Sequence, residues 1–128
     1  MTALVLIVED NARNLKLVRD LLGYAGYRTI EAVTAEDGIE LARMHHPDLV
    51  LMDVQLPGMD GLEALTRLRA EPATAETPVV AVTAFAMKDD RERLLAAGFD
   101  EYIEKPLSVR DFPAQVAAIL DHHEGARA

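Results

Sequence analysis

Asp53 stands directly behind an uninterrupted apolar run, residues 49–52, and just ahead of Gln55-Leu56-Pro57-Gly58, a stretch that neither helix nor strand tolerates. The run is too short for a helix and reads as a buried strand, so the carboxylate sits where a strand leaves the core and the chain turns outward. The arrangement recurs along the chain. Glu9 and Asp10 follow the apolar residues 3–8, Thr83 follows residues 79–82, and Lys105, behind Glu104 and ahead of Pro106, follows residues 101–103. Any one of these has a plain explanation. Asp53 could merely begin a loop, Thr83 could cap the next helix, and Lys105 could be a solvated turn residue. Brought together, three carboxylates, a hydroxyl and an ammonium are a site. Unit charges ~4 Å apart repel by roughly 4 kcal/mol per pair at an effective dielectric near 20, so one lysine against three acids leaves a deficit that a divalent cation would cancel. With oxygen donors only and no His or Cys among them, the fitting ion is Mg²⁺, which accepts one or two carboxylates, a carbonyl and several waters. Mg²⁺ beside a lysine and a hydroxyl suits phosphoryl transfer, and a carboxylate such as Asp53 can itself be the nucleophile.

The elements that must position these groups alternate. A strand over residues 3–8 is followed by a helix with Leu15, Val18, Leu22 and Ala25 at helical spacing and Gly26 to stop it. Residues 28–33 are more polar, as an edge strand would be. Thr34 with Asp37 opens a helix through about Met44, and Pro47 forbids its continuation. The strand ending at Asp53 comes next, and Asp60 takes the N-cap place before a helix starting near Gly61 and carrying Leu62, Leu65 and Leu68. That helix dissolves in residues 71–78, the most loop-like segment. A fourth strand over 79–82 leads to a helix with a thin apolar side at Leu94, Leu95 and Ala97, ended by Gly98. A short strand, 101–103, precedes a last helix opened by Ser108 and Asp111, with Val109, Phe112, Val116, Ile119 and Leu120 facing inward and an end near Leu120. Residues 1–121 are thus expected as one α/β domain, a three-layer doubly wound (βα)5 fold on a parallel five-stranded sheet, with 122–128 as a polar tail. In such sheets ligands bind beyond the carboxyl ends of the strands. All five chemistry-bearing positions fall there.

Composition narrows the function classes. The 128 residues suffice for a core burying ~65–70% of the unfolded surface without staples. Absence of cysteine removes thiolate catalysis, zinc-thiolate sites and disulfides. Thirteen basic against 22 acidic residues, net −9, disfavours nucleic acid. No uncharged run approaches the ~20 apolar residues of a spanning helix, and no basic region precedes the first strand, so a cytoplasmic protein without membrane insertion is expected. The histidines His45, His46, His122 and His123 read as solvated, because adjacent residues cannot share a helical face.

The combination of Glu9-Asp10, Asp53 within MDVQLPGMDG, Thr83-Ala84 and Lys105-Pro106 resembles the CheY-like receiver domain of bacterial two-component response regulators, over residues 3–120. The runs VLIVEDN, LVLMDVQLPG, VVAVTAFAMKDD and YIEKPLSV are similar to those of single-domain cell-cycle members more than to chemotaxis members. The resemblance implies strand order 2-1-3-4-5 and the following roles. Asp53 accepts a phosphoryl group from a phosphohistidine. Asp10, Asp53 and the backbone carbonyl of Gln55 bind Mg²⁺, with Glu9 helping directly or through water. Lys105 pairs with the phosphoryl oxygens, across a cis Lys105-Pro106 bond. Thr83 and Tyr102 form the switch, and Gln55, Ala84 and Phe85 tune access and dephosphorylation. It also implies a protein that is no enzyme beyond its own phosphorylation and dephosphorylation. Its expected partners are a histidine kinase or phosphotransfer protein, and target proteins at the face of the fourth helix, fifth strand and fifth helix. A monomer is expected. The end of the last helix near Leu120 leaves no length for an output domain, and Met1 directly before the first strand argues for a natural start. A phosphorelay intermediate, a phosphate sink and a receiver excised from a hybrid kinase are the alternatives within the family. An aspartyl-phosphate phosphatase would want an acid where Gln55 stands, and the carboxylates after the first strand would repel a flavin phosphate.

Overall fold

The computed structural model describes residues 2–56, 58–84 and 88–127, and the side chains of all of these except Lys88 and 123–127. Strands and helices alternate as β1 (Leu4–Val8), α1 (Ala12–Tyr24), β2 (Arg28–Ala32), α2 (Ala35–His45), β3 (Leu49–Asp53), α3 (Gly61–Ala70), β4 (Val79–Thr83), α4 (Lys88–Ala97), β5 (Glu101–Glu104) and α5 (Phe112–Arg127). The strands form one parallel sheet in the order β2-β1-β3-β4-β5, as the sequence led one to expect. Every residue of the central strands β3 and β4 is buried, which is why both read as continuous apolar runs rather than alternating ones. The edge strand β2 keeps Arg28 exposed.

Strand alternation divides the core in two. Leu6, Val8, Val50, Met52, Val79 and Ala81 point to the side covered by α2, α3 and α4, where Ala42, Leu65, Leu68 and Leu94 meet them. Val5, Ile7, Leu49, Leu51, Val80 and Ile103 point to the side covered by α1 and α5, where Val18, Leu22, Phe112 and Val116 meet them. Each buried Val, Leu, Ile, Met or Phe among them contributes roughly 1.5–3 kcal/mol on burial. Helix starts follow the capping residues: Asn11 accepts from Arg13 and Asn14 amides, Thr34 from Asp37, and Asp60 from Glu63. α2 stops where His46 adopts φ 49 ahead of Pro47.

Four local expectations need correction. Ala25 is the C-cap of α1 and is exposed rather than inward. Leu95 is exposed as well, so only Leu94 of that pair reaches the core. Ser108 and Asp111 build a turn instead of the first helical turn. The Asp111 amide donates to Ser108 Oγ at 3.2 Å, α5 begins at Phe112, and Val109, 59% exposed, is left outside the inward stripe. The last helix runs on to Arg127, because nothing between Leu120 and Arg127 except Gly125 disfavours helix. The segment 71–78 is also less loose than its composition suggests. Thr74 is buried and its Oγ1 donates to the Leu68 carbonyl at 2.6 Å, while Arg69 bridges the carbonyls of Ala75 and Thr77.

Candidate functional site

The parallel register brings the strand ends onto one rim. Val8 pairs with Met52, Asp53 with Val82, and Thr83 with Glu104, so the residues that follow or close these strands are neighbours. The Glu9 amide donates to Ala32 O at 3.0 Å and the Lys105 amide to Thr83 O at 2.8 Å, which extends the ladder past the strand ends. Glu9 and Asp53 are 4% and 5% exposed, Thr83 is fully buried, and Asp10 points out to solvent.

Lys105 joins the acids. Its Nζ donates to Glu9 Oε1 at 2.8 Å and to Asp53 Oδ2 at 3.0 Å. The other oxygen of each acid receives a backbone amide two residues further on. Gln55 N–H donates to Asp53 Oδ1 at 2.9 Å, and Asn11 N–H to Glu9 Oε2 at 3.3 Å. Asp10 lies beside them, and Glu9, Asp10 and Asp53 each offer an oxygen within 4.8 Å of the others. The rim therefore holds three carboxylates and one ammonium at close quarters.

This crowding moves the titrations. Burial, then hydrogen bonding to Asp53, pushes the Glu9 carboxyl up to about 7, and Lys105 offsets only part of it. Burial would raise Asp53 too, but hydrogen bonds from Glu9, the Gln55 amide and Lys105 outweigh it and hold Asp53 below the ordinary carboxylate range. Burial would lower Lys105, yet its two acid partners raise it above the usual amine value. Of the pair, Glu9 is therefore the acid that holds its proton to higher pH. The donor set is all oxygen and two charges short, and so fits a hard divalent ion such as Mg²⁺.

The remaining positions fall around this centre. Gln55 and Ala84 are exposed at the rim, the Lys105-Pro106 peptide is cis, and Phe85 and Met87 lie outside the described residues. Tyr102 is half-buried on β5 against the α2, α3 and α4 side of the core. Burial, followed by Glu104 and Asp90, raises its hydroxyl pKa. Beside it a groove of about 420 Å³ runs between α4, β5 and α5, bounded by Arg91, Tyr102, Glu104, Gln115 and Ile119. His45 and His46 are exposed and take no part in the rim. Sequence reasoning gathered Glu9, Asp53 and Lys105 on one rim but did not show that the ammonium bonds directly to Glu9, from which Lys105 is 96 positions away. It also missed the amide of Asn11, although the EDN triplet carried that signal.

A family model described as response regulator receiver domain matches residues 5–117. The chain belongs to the response regulator receiver family. This receiver is 48% identical over 120 residues to the polar-differentiation response regulator DivK of Brucella ovis, covering 94% of this chain and 98% of that protein. Among solved structures it resembles a CheY-like response regulator receiver domain protein from Methanospirillum hungatei, with 30% identity, TM-score 0.86, and 98% and 99% of the two chains covered. It also resembles the receiver domain of a sensor histidine kinase from Pseudomonas aeruginosa, at 32% identity, TM-score 0.84 and 98% and 99% coverage. That neighbour carries a magnesium ion in its active-site cleft. The receiver closely resembles DivK, in keeping with the runs singled out in the sequence. No helix among the described residues is long and apolar enough to cross a membrane.

Proposed function

We propose that this receiver is a phosphorylation-dependent protein-binding switch of the cell-cycle type, with Asp53 as its phosphoacceptor. The observation that carries the reading is the pairing of a buried, ionised Asp53 with Lys105 at 3.0 Å on a rim that has more negative charge than it can neutralise. A carboxylate oxygen of Asp53 attacks the phosphorus of a phosphohistidine. The P–N bond breaks, its electron pair returns to the imidazole, and the ring nitrogen takes up a proton. Asp53, Asp10 and the Gln55 carbonyl, assisted by Glu9, would hold Mg²⁺, which when bound supplies the positive charge that the transferring oxygens need. Lys105 exchanges a carboxylate partner for a phosphoryl oxygen, and the Thr83 hydroxyl, buried at the end of β4, turns toward the same group. Tyr102 follows as the second half of the switch, and the groove beside it between α4, β5 and α5 is where a target protein reads the change. Gln55, Ala84 and Phe85 set how readily water and partners reach the acyl phosphate. Receiver domains exchange phosphate with histidine kinases and phosphotransfer proteins, and such a partner is the donor here, in the cytoplasm, with the receiver acting as a monomer. The domain extends through α5, and the receiver turns over no substrate other than its own phosphoryl group. Phosphorylation biases a two-state equilibrium by as much as the two states differ in their hold on the phosphate.

The test is incubation with Mg²⁺ and a small acyl phosphate, followed by intact mass. Wild type is expected to gain one base-labile phosphoryl group and Asp53→Asn none. Equal labelling of both would refute the assignment.

A further inference from the structure

The glycines of this chain do different jobs. Gly26, Gly58 and Gly98 have φ of +97°, +77° and +117°, where a side chain would strain the backbone. Gly61 is not among them. It is the first residue of α3, and alanine would serve helix formation better at that place, so helix formation does not explain a glycine there. What distinguishes it is what a Cβ would strike. A Cβ on Gly61 would lie 2.8 Å from Val54 Cα and 3.1 Å from the Asp53 carbonyl oxygen, both backbone atoms that cannot swing aside. Gly38 of α2 is equally tight, but the atoms in its way are the Val8 methyls, at 2.7 and 3.3 Å, which belong to a side chain.

The backbone that Gly61 presses against is the one that aims Asp53. The Gly61 amide donates to Val54 O at 3.1 Å, the Val54 amide donates to Val82 O at 3.3 Å, and one residue later the Gln55 amide holds Asp53 Oδ1. The turn is thus clamped between β4 on one side and the first turn of α3 on the other. We propose that Gly61 is a positioning residue for the acidic rim: by letting α3 close onto the Asp53-Val54 backbone, it sets where the Asp53 carboxylate and the Gln55 peptide stand relative to Glu9 and Lys105. The proposal rests on the reading that this rim binds Mg²⁺ and accepts a phosphoryl group. Any side chain at position 61 pushes the turn away from α3 and displaces two of the three groups assigned to the ion.

The experiment compares wild type, Gly61→Ala and Gly38→Ala as folded full chains. It measures Mg²⁺ affinity by calorimetry, the chemical shift of the Gln55 amide proton, and melting temperature. Gly61→Ala is expected to bind Mg²⁺ roughly 10-fold more weakly, the scale on which outer supports of metal sites act, with a moved Gln55 resonance. Gly38→Ala is expected to keep both at wild-type values whatever melting temperature it loses. Wild-type Mg²⁺ affinity and an unmoved Gln55 amide in Gly61→Ala would overturn the proposal. Should that variant not fold, Asp60→Ala is read in its place, since it unties the same helical turn by removing the carboxylate that caps Glu63. It carries the same expectations, and unchanged values overturn the proposal equally. If wild type itself neither binds Mg²⁺ nor becomes labelled, the reading of the rim fails, and the Gln55 amide shift alone decides the positioning claim.

Discussion

The two ends of the sheet use the same kinds of residue in opposite ways. At the end where strands begin, Asp100 Oδ2 accepts from Arg69 Nη2 at 2.7 Å and from the Val79 amide at 2.8 Å, while Arg69 also donates to the Thr77 and Ala75 carbonyls. Asp48 Oδ2 accepts from the Leu4 amide at 2.8 Å. Each charge there meets an opposite charge or a backbone dipole, which satisfies it. At the end where strands finish, Glu9, Asp10 and Asp53 crowd within 4.8 Å, and Glu9 and Asp53 share one lysine. Both rims are anchored by acids; among the described residues only the second is left in deficit. Charge balance, rather than the presence of charge, separates the rim that staples the fold from the rim proposed to accept the phosphoryl group.

That contrast can be broken by substitution. The largest effect expected is total loss of phosphoryl labelling in Asp53→Asn, which intact mass measures. Asp100→Ala should do the reverse. It is expected to lower unfolding free energy by about 2–3 kcal/mol in denaturant titration, leaving Arg69 and the Val79 amide without their acceptor, while Mg²⁺ affinity and labelling stay at wild-type values. A loss of labelling larger than the loss of folded protein would show that the rims are not separable.

The pH dependence sharpens the same point. Glu9 is raised to about 7 in the folded chain, above the ordinary 4.5, so the native state binds more protons between those values and stability falls as pH rises through that window. The loss is bounded at about 3 kcal/mol. Asp53, shifted the other way, contributes stability that is lost only as pH falls below 3.8 and does not offset the trend within the window. Mg²⁺ should therefore stabilise more at pH 7.5 than at pH 5, and melting curves with and without a chelator are the check. A flat difference across that range would mean that the retained proton and the ion do not compete. The smallest effect belongs to a third kind of charge. Arg19 and Glu31 pair at 3.1 Å across α1 and β2 with the arginine 45% exposed, and Arg19→Ala is expected to cost under about 1 kcal/mol by denaturant titration.

Much of the functional rim was legible because it obeys a local rule: an apolar run followed by Glu9, Asp53, Thr83 or Lys105 can be seen without knowing the strand order. The stapling rim was not. Arg69 looks like any solvated residue in the last turn of a helix, and its partner Asp100 lies 31 positions away with no local pattern joining them. Val109 fits the inward stripe by apolar character and spacing from Phe112, while the Ser108 turn that holds it outside α5 leaves no periodic trace. The true end of α5 leaves no local mark, because the polar residues after Leu120 resemble a tail and only the buried stripe closes there. Gly61 was legible only as a place where a helix begins, since the backbone it touches is seven residues upstream and is brought there by the turn.

The paired amides of Asn11 and Gln55 carry one more consequence. With one oxygen held by a neighbouring N–H and the other by Lys105, neither Glu9 nor Asp53 is free to spin about its carboxyl bond. An arriving ligand finds their lone pairs already aimed, so torsional freedom that a loose carboxylate would surrender on complexation has been given up during folding, and recognition on this rim starts from a stiff template.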